Sequence, residues 1–231
     1  IKQELQRTML SKQADNDYRR RAAFKLEAGE GIPAWRDLVR PHEEIMRGSF
    51  ASAEFAADLH TVAIGENPNR EYADPVAFFQ RTYLTEGLTD LLGRALRRIS
   101  GQAGASPVVN LQTNFGGGKT HSMLALFHLF SGKNARDFPQ AIQDIIEHSG
   151  VRSQDFDGLN VRRVAIVGTS LSPASGSRKN DGTHVNTIWG ELAWQLGGRE
   201  AYNMIAADDA AGTSPGDGIR LLLERYGPVL I

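Results

Sequence analysis

Residues 113–121 read Thr-Asn-Phe-Gly-Gly-Gly-Lys-Thr-His, and this stretch decides the fold. Its glycines allow positive φ angles, so successive backbone N–H groups can curl around an anion. Lys119 would then lie against the β- and γ-phosphates of a nucleotide, and the Thr120 hydroxyl would bind Mg²⁺. The stretch predicts a phosphate-binding loop with these candidate nucleotide-binding residues: Asn114, Phe115, Gly116, Gly117, Gly118, Lys119, Thr120 and His121.

The flanking sequence supports a strand, a loop and a helix in that order. An apolar run with Val108, Val109 and Leu111 predicts a strand before the loop, and an apolar run from Met123 to Phe130 predicts a helix that Gly132 ends. The standard motif has a glycine where this chain has Thr113, so the three later glycines must supply the permissive backbone. A glycine-rich loop without a ligand is the alternative.

Composition excludes several classes of protein. The chain has 231 residues, 41% hydrophobic content and a formal net charge of −1, so its overall charge does not indicate nucleic-acid binding. Cysteine is absent, which excludes disulfides and cysteine-bound zinc. The histidines lack metal-ligand spacing, and no Gly-x-Ser-x-Gly elbow occurs. No signal peptide or long apolar span is evident, so we expect a cytoplasmic protein without a membrane partner.

The sequence predicts three segments. Residues 1–33 form a charged helix and linker, residues 34–104 form a helical lead-in, and residues 105–231 form the α/β nucleotide-binding core. Three helices are expected in the lead-in: one near residues 50–63, one starting at Asp74-Pro75, and one from Glu86 to Ser100. Arg94, Arg97 and Arg98 line the outer face of the third helix; a solvated face is favoured over an acidic partner.

Strands and helices alternate in the second half. We predict a strand over 163–168, helices over 185–196 and 218–225, and a strand from Val229 onward. This pattern indicates a parallel sheet whose loops meet at the carboxyl ends of the strands, where such sheets bind ligands. The segment from Ser170 to Asp181 is polar and glycine-rich, and is expected to be a mobile loop at that edge.

Further residues are weaker candidates for chemistry. Thr169 and Ser170 follow the predicted second strand and could approach a γ-phosphate. Glu191 could polarise water, although a structural role for its helix, which also carries Trp189 and Trp194, is favoured. His121 could contact phosphates or pack against its neighbours.

We expect the chain to be a fragment of a larger protein, cut at both ends. The sequence opens with Ile1 and stops in the apolar run Pro228–Ile231, which is typical of the start of a buried parallel strand. In strand-loop-helix NTPases such a strand ends in an acidic residue that helps to hold Mg²⁺ and activate water. The chain is therefore expected to stop at the start of this Walker B strand, with its catalytic acid beyond Ile231 and the catalytic residues unknown.

Five stretches together resemble a family of large AAA+-like P-loop ATPases, catalogued largely as a domain of unknown function. Members are similar to the PglY/BrxC ATPases of BREX phage-defence systems, and others occur beside DNA methyltransferases and helicases in bacteria and archaea. The chain looks like an N-terminal fragment of such an ATPase, and the resemblance covers roughly residues 35–231. The stretches are residues 72–75, 81–87, 111–121, 189–198 and 227–231.

The resemblance implies a P-loop NTPase fold that binds ATP and Mg²⁺. Relatives carry threonine at the position of Thr113, and their last strand runs on into an Asp-Glu pair. DNA, DNA-modification proteins or defence proteins are the implied partners, and a homo-oligomer is expected by analogy with AAA+ proteins. An ATPase is the first hypothesis. A nucleotide-dependent scaffold with little turnover is the second, and a small-molecule or nucleoside kinase is the third.

Overall fold

The computed structural model describes residues 39, 41, 46, 57–67, 70–102, 104–112, 116–172 and 175–231. The chain divides into two compact units, Ile1–Ala56 and Ala57–Ile231, and almost all described residues belong to the second unit. The predicted helix and linker over residues 1–33 lie outside the described residues. Within the part of the chain that is described, no helix has the length and apolar content to cross a membrane.

The described part is a helix-rich mixture of α and β structure with two small sheets. Its helices are α1 Leu59–Ala63, α2 Arg70–Ala73, α3 Pro75–Arg81, α4 Glu86–Ile99, α5 Lys119–Leu129, α6 Gln140–His148, α7 Ser153–Asp157, α8 Ile188–Asn203, α9 Ala206–Ala211 and α10 Asp217–Tyr226. Its strands are β1 Arg162–Arg163, β2 Ser177–Arg178, β3 His184–Val185 and β4 Val229–Leu230.

Local capping sets the starts of the two helices before the glycine loop. The Asp74 carboxylate accepts a hydrogen bond from the Ala77 amide at 2.8 Å, and Pro75 occupies the first position of α3. The Thr85 hydroxyl accepts from the Leu88 amide at 3.2 Å and begins α4. Both predicted helices are confirmed at these starts.

The larger apolar core joins α3, α4, α5 and α6. Leu92, Leu96, Leu124, Leu129 and Ile146 have no exposed surface within it. Burying each such side chain contributes about 1.5–3 kcal/mol relative to leaving it in water. The apolar helix predicted from Met123 to Phe130 is confirmed as α5, and Gly132 follows it with φ +80°.

A second apolar cluster is built by α8, α10 and the parallel pair β1–β4. In that pair Arg162 lies opposite Val229, and Arg163 lies opposite Leu230. The pairing confirms that the two predicted strands run parallel, although the first ends at Arg163 and is shorter than predicted. A 3₁₀ turn at Gly168–Ser170 follows after four residues that belong to no strand or helix. Leu192, Ala193, Leu196 and Leu222 pack behind these strands.

One prediction about the second half is wrong. The apolar run before the glycine loop forms no strand within residues 104–112, and Val108 is 75% exposed there. Apolar, β-branched residues favour a strand, but a strand also needs a hydrogen-bonded neighbour. The segment from Ser170 to Asp181, predicted as a mobile loop, includes strand β2, which pairs antiparallel with β3 just beyond the segment. The mobility of this segment stays a prediction.

Helix α8 begins three residues later than predicted and runs on to Asn203, across a break at Gly197 and Gly198. A Cβ built at Gly197 would lie 2.5 Å from the Tyr226 ring, so this glycine permits close contact between α8 and α10. Gly198 has φ +60°, a conformation that favours glycine. The sequence reasoning placed no helix over α6 or α7.

Replacing Gly197 with alanine should lower the free energy of unfolding by about 1–3 kcal/mol, because the added methyl group must displace the Tyr226 ring. Gly87→Ala is the matched control in α4, where a Cβ meets no atom within 4 Å. That variant should be neutral or more stable by up to about 1 kcal/mol. Urea unfolding of both variants checks the difference, and equal responses would contradict close packing at Gly197.

Candidate functional site

The glycine loop enters helix α5 through two left-handed residues. Gly116 has φ +83° and Gly118 has φ +74°, and a Cβ at either position would meet no atom within 4 Å. The glycines are therefore required by backbone conformation and not by crowding. Gly118 is the N-cap of α5, and as a glycine it has no side chain to cap the helix. Thr113, Asn114 and Phe115 lie outside the described residues.

Lys119 and Thr120 are the first two residues of α5, and both are partly buried. Lys119 lines an open cleft of about 450 Å³ between the helices and the β4 strand. Arg98 of α4 and Ile231, which follows β4, line the same cleft. The structure thus brings the predicted phosphate-binding lysine close to the carboxyl end of β4.

His121 packs against the end of α3. Its Nε2 atom lies 3.0 Å from the Thr82 hydroxyl, and its ring centroid lies 4.6 Å from that of Phe78. The Thr82 hydroxyl donates its own proton to the Phe78 carbonyl at 2.8 Å, so Thr82 accepts and His121 Nε2–H donates. Burial lowers the pKa of His121. These contacts describe a packed histidine; its contact with phosphates stays a prediction.

His128 lies two turns further along α5 and is 1% exposed. Its Nε2–H donates to the Tyr72 carbonyl at 2.7 Å, while its Nδ1 atom is buried without a hydrogen-bond partner in the described structure. Burial is the largest effect on the pKa of His128 and lowers it. The hydrogen bond to the Tyr72 carbonyl comes next and raises the pKa, while the weaker charge effects lower it from Arg163 and His121 and raise it from Asp74. The neutral imidazole is the form that fits this site.

Arg163 links strand β1 to the far end of α5. Its Nη1 atom donates to the Phe127 carbonyl at 2.7 Å, and its guanidinium carbon lies 4.0 Å from the Phe127 ring centroid. This contact satisfies one of the carbonyls in the last turn of the helix and adds a cation–π interaction. Helix α5 is therefore held to the sheet at one end and to α3 at the other.

Glu191 lies in a buried polar network behind β1. One of its carboxylate oxygens pairs with Lys179 Nζ at 2.6 Å, and the other accepts from Gln195 Nε2 at 2.9 Å. Gln195 in turn accepts from the Ala165 amide at 2.8 Å and donates to the Ala165 carbonyl at 3.1 Å. Both carboxylate oxygens are engaged, so the structural role of Glu191 that the sequence favoured agrees with its contacts.

Other candidates lie at the surface. Thr169 and Ser170 are exposed in the 3₁₀ turn that follows the second predicted strand. Arg94 is exposed and pairs with Asp90 at 2.6 Å on the same helix, a contact worth about 0.3–0.5 kcal/mol. Arg94 and Arg98 also line the cleft that Lys119 lines. Among the described residues, no cluster of three His, Asp or Glu side chains could hold a metal ion.

The sequence reasoning missed Asp209, which is 1% exposed and organises the start of α8. Its carboxylate accepts from the amides of Asn186 and Thr187 at 2.9 and 2.8 Å, from the Thr187 hydroxyl at 2.6 Å and from the Tyr202 hydroxyl at 2.9 Å. Burial raises the pKa of Asp209, but the bonds from Thr187, Asn186 and Tyr202 outweigh that effect and lower it. Burial and Asp209 together raise the pKa of Tyr202 to about 12.

Replacing Asp209 with asparagine should destabilise the protein by about 2–4 kcal/mol, because the amide NH₂ would face N–H and O–H donors in a buried site. Asp208→Asn is the neighbouring control, since among the described residues the Asp208 carboxylate accepts a hydrogen bond only from the exposed Thr213 hydroxyl. Urea unfolding at neutral pH compares the two. A loss of the same size in both variants would contradict the special role of Asp209.

Stability should fall as the pH drops below about 6.5, the ordinary histidine pKa, because the unfolded chain then takes up a proton that folded His128 resists. His121 adds to the effect with the same sign. In His128→Gln the side-chain amide can still donate to Tyr72, but it does not titrate. Urea midpoints at pH 7.5 and 5.5 should differ less in this variant than in the wild type. Equal differences would exclude His128 as the cause.

Comparison with known proteins gives one match. The sequence model of the family described as the DUF499 N-terminal domain matches residues 37–230. No curated protein and no solved structure matches the chain.

Proposed function

The chain belongs to the DUF499 N-terminal domain family, and we propose that it is the ATP-binding part of a P-loop ATPase. The observation that carries this proposal is the backbone at the start of α5. Gly116 and Gly118 adopt left-handed conformations directly before Lys119 and Thr120. Glycine in this conformation, a helix amino end whose N-cap is glycine, and a lysine at the first helical position together favour binding of a phosphate chain.

Different groups of the loop would contact different parts of the nucleotide. Backbone N–H groups of the loop and the first turn of α5 would surround the phosphates, and the positive end of the helix adds to their attraction. Lys119 would neutralise the β- and γ-phosphates. The Thr120 hydroxyl would bind Mg²⁺, which supplies charge neutralisation when present. Asn114, Phe115 and Gly117 complete the proposed loop, with His121 at its edge.

The position of β4 supports hydrolysis in the complete protein. Lys119 and Ile231 line one cleft, so the carboxyl end of β4 lies near the proposed phosphate site. An acidic residue following this strand would be placed to hold Mg²⁺ or to activate water. Catalysis in P-loop NTPases depends mainly on positioning and on stabilisation of the developing charge. The proposed reaction is therefore ATP hydrolysis in a larger protein that includes this chain.

The resemblance to PglY/BrxC ATPases extends the proposal to a cellular role. Hydrolysis would drive movement of DNA or of a partner protein in phage defence or DNA modification, in a cytoplasmic protein of bacteria or archaea. A homo-oligomer follows by analogy with AAA+ proteins. The P-loop NTPase fold itself, with a parallel sheet larger than the β1–β4 pair, is part of this proposal.

A nucleotide-dependent scaffold is the second candidate. It is favoured by the contacts of Glu191, for which the sequence favoured a structural role over polarising water, since both of its oxygens are engaged in the buried network. Such a protein would change shape on binding ATP and turn it over slowly. Turnover by the full-length protein, measured with and without DNA, separates the scaffold from the ATPase.

Lys119→Ala should weaken Mg-ATP binding at least about tenfold, the effect of losing about 1.4 kcal/mol of charge interaction with the phosphates. Isothermal titration with ATP, and separately with GTP, measures the change. Lys133→Ala is the matched control, because Lys133 is exposed beyond the opposite end of α5. Circular dichroism of each variant verifies folding. Unchanged affinity in a folded Lys119→Ala protein would show that the lysine does not bind phosphate.

A further inference from the structure

Tyr83 is an aromatic side chain that the fold leaves open to water. It lies in the linker between α3 and α4, and 85% of its surface is exposed. Within the described part of the chain its side chain makes no hydrogen bond and no contact with another ring. A tyrosine ring combines a large apolar area with a π surface and a polar tip, so an open ring of this kind is suited to bind a flat, partly polar ligand.

The linker is held in place on both sides of Tyr83. The Thr82 hydroxyl donates to the Phe78 carbonyl at 2.8 Å. Leu84 packs against the larger apolar core, and the Thr85 hydroxyl caps α4. The backbone is extended at both Thr82 and Thr85. The Tyr83 ring is therefore presented from a fixed backbone, and a ligand has to order only the two side-chain torsions.

The same linker contacts the first turn of α5. The Thr82 hydroxyl lies 3.0 Å from His121 Nε2, and His121 follows Lys119 by two residues. Two residues turn an α-helix by about 200°, so Lys119 and His121 face opposite sides of α5. Lys119 lines the cleft that Ile231 also lines. The start of α5 therefore has the end of β4 on one side and the linker that carries Tyr83 on the other.

This arrangement gives a bound nucleotide a direction. In the proposed ATPase the γ-phosphate lies toward the carboxyl end of β4, where an acid would hold Mg²⁺ or activate water. The base is at the opposite end of the nucleotide and then lies toward the linker. We propose that the Tyr83 ring is the surface on which the nucleobase stacks. This inference rests on the proposed function and assigns the group that holds the base.

Titration of the full-length protein with Mg-ATP and with Mg-tripolyphosphate, which has no base, tests this inference. Tyr83→Ala should weaken ATP binding about 5–150-fold, the range expected for losing the stacking of one base, and should leave tripolyphosphate binding unchanged. GTP should lose affinity to a similar extent, because every base has a π face. Tyr83→Phe keeps the ring and should bind ATP as the wild type does. Since Tyr83 is exposed, urea unfolding of both variants should match that of the wild type.

The same titrations separate this inference from the proposed function. Lys119→Ala should weaken the binding of both ATP and tripolyphosphate, because it removes a contact with the phosphates. If it does so while Tyr83→Ala binds ATP normally, the base lies elsewhere and only the stacking inference is wrong. Equal weakening of ATP and tripolyphosphate in Tyr83→Ala would mean that Tyr83 acts on the loop and not on the base. Absence of ATP binding by the folded wild-type protein would overturn both proposals.

Discussion

Burial of helix α5 is the constraint on which the described structure depends. Leu124, Ala125 and Leu129 have no exposed surface, and the helix lies against α1, α3 and α4. A helix that is apolar on most sides is stable only when other elements cover it, so it is expected in the centre of the core. Because Lys119 begins this helix, packing of its apolar residues fixes where the glycine loop ends. The proposed chemistry therefore takes its position from the hydrophobic core.

The second cluster depends more on buried polar groups. Asp209 and the Glu191–Gln195 pair each satisfy several donors, and together they join the hairpin, the start of α8 and the end of β1. Buried ion pairs add little net stability relative to apolar residues, but breaking one leaves an uncompensated charge. These networks thus act mainly by penalising alternative arrangements. They hold α8 against the sheet although strands β1 and β4 have only two residues each.

Short-range sequence signals predicted the helix ends, because capping and backbone conformation determine these ends locally. Asp74-Pro75 and Glu86 were predicted to start helices and do so, and Gly132 follows the end of α5. The left-handed glycines before Lys119 follow from the same local rules. Asp209 could not be found in this way, because its partners at 186, 187 and 202 show no spacing typical of a motif. The hairpin was not predicted because its polar, glycine-rich sequence is equally typical of a loop.

The segment before the glycine loop shows why a strand pattern alone does not make a strand. Its residues are apolar and β-branched, but pairing depends on a neighbour that the sequence pattern does not identify. Residue 112 leads into the glycine loop, so whatever pairs with this segment also fixes the entry to the proposed phosphate site.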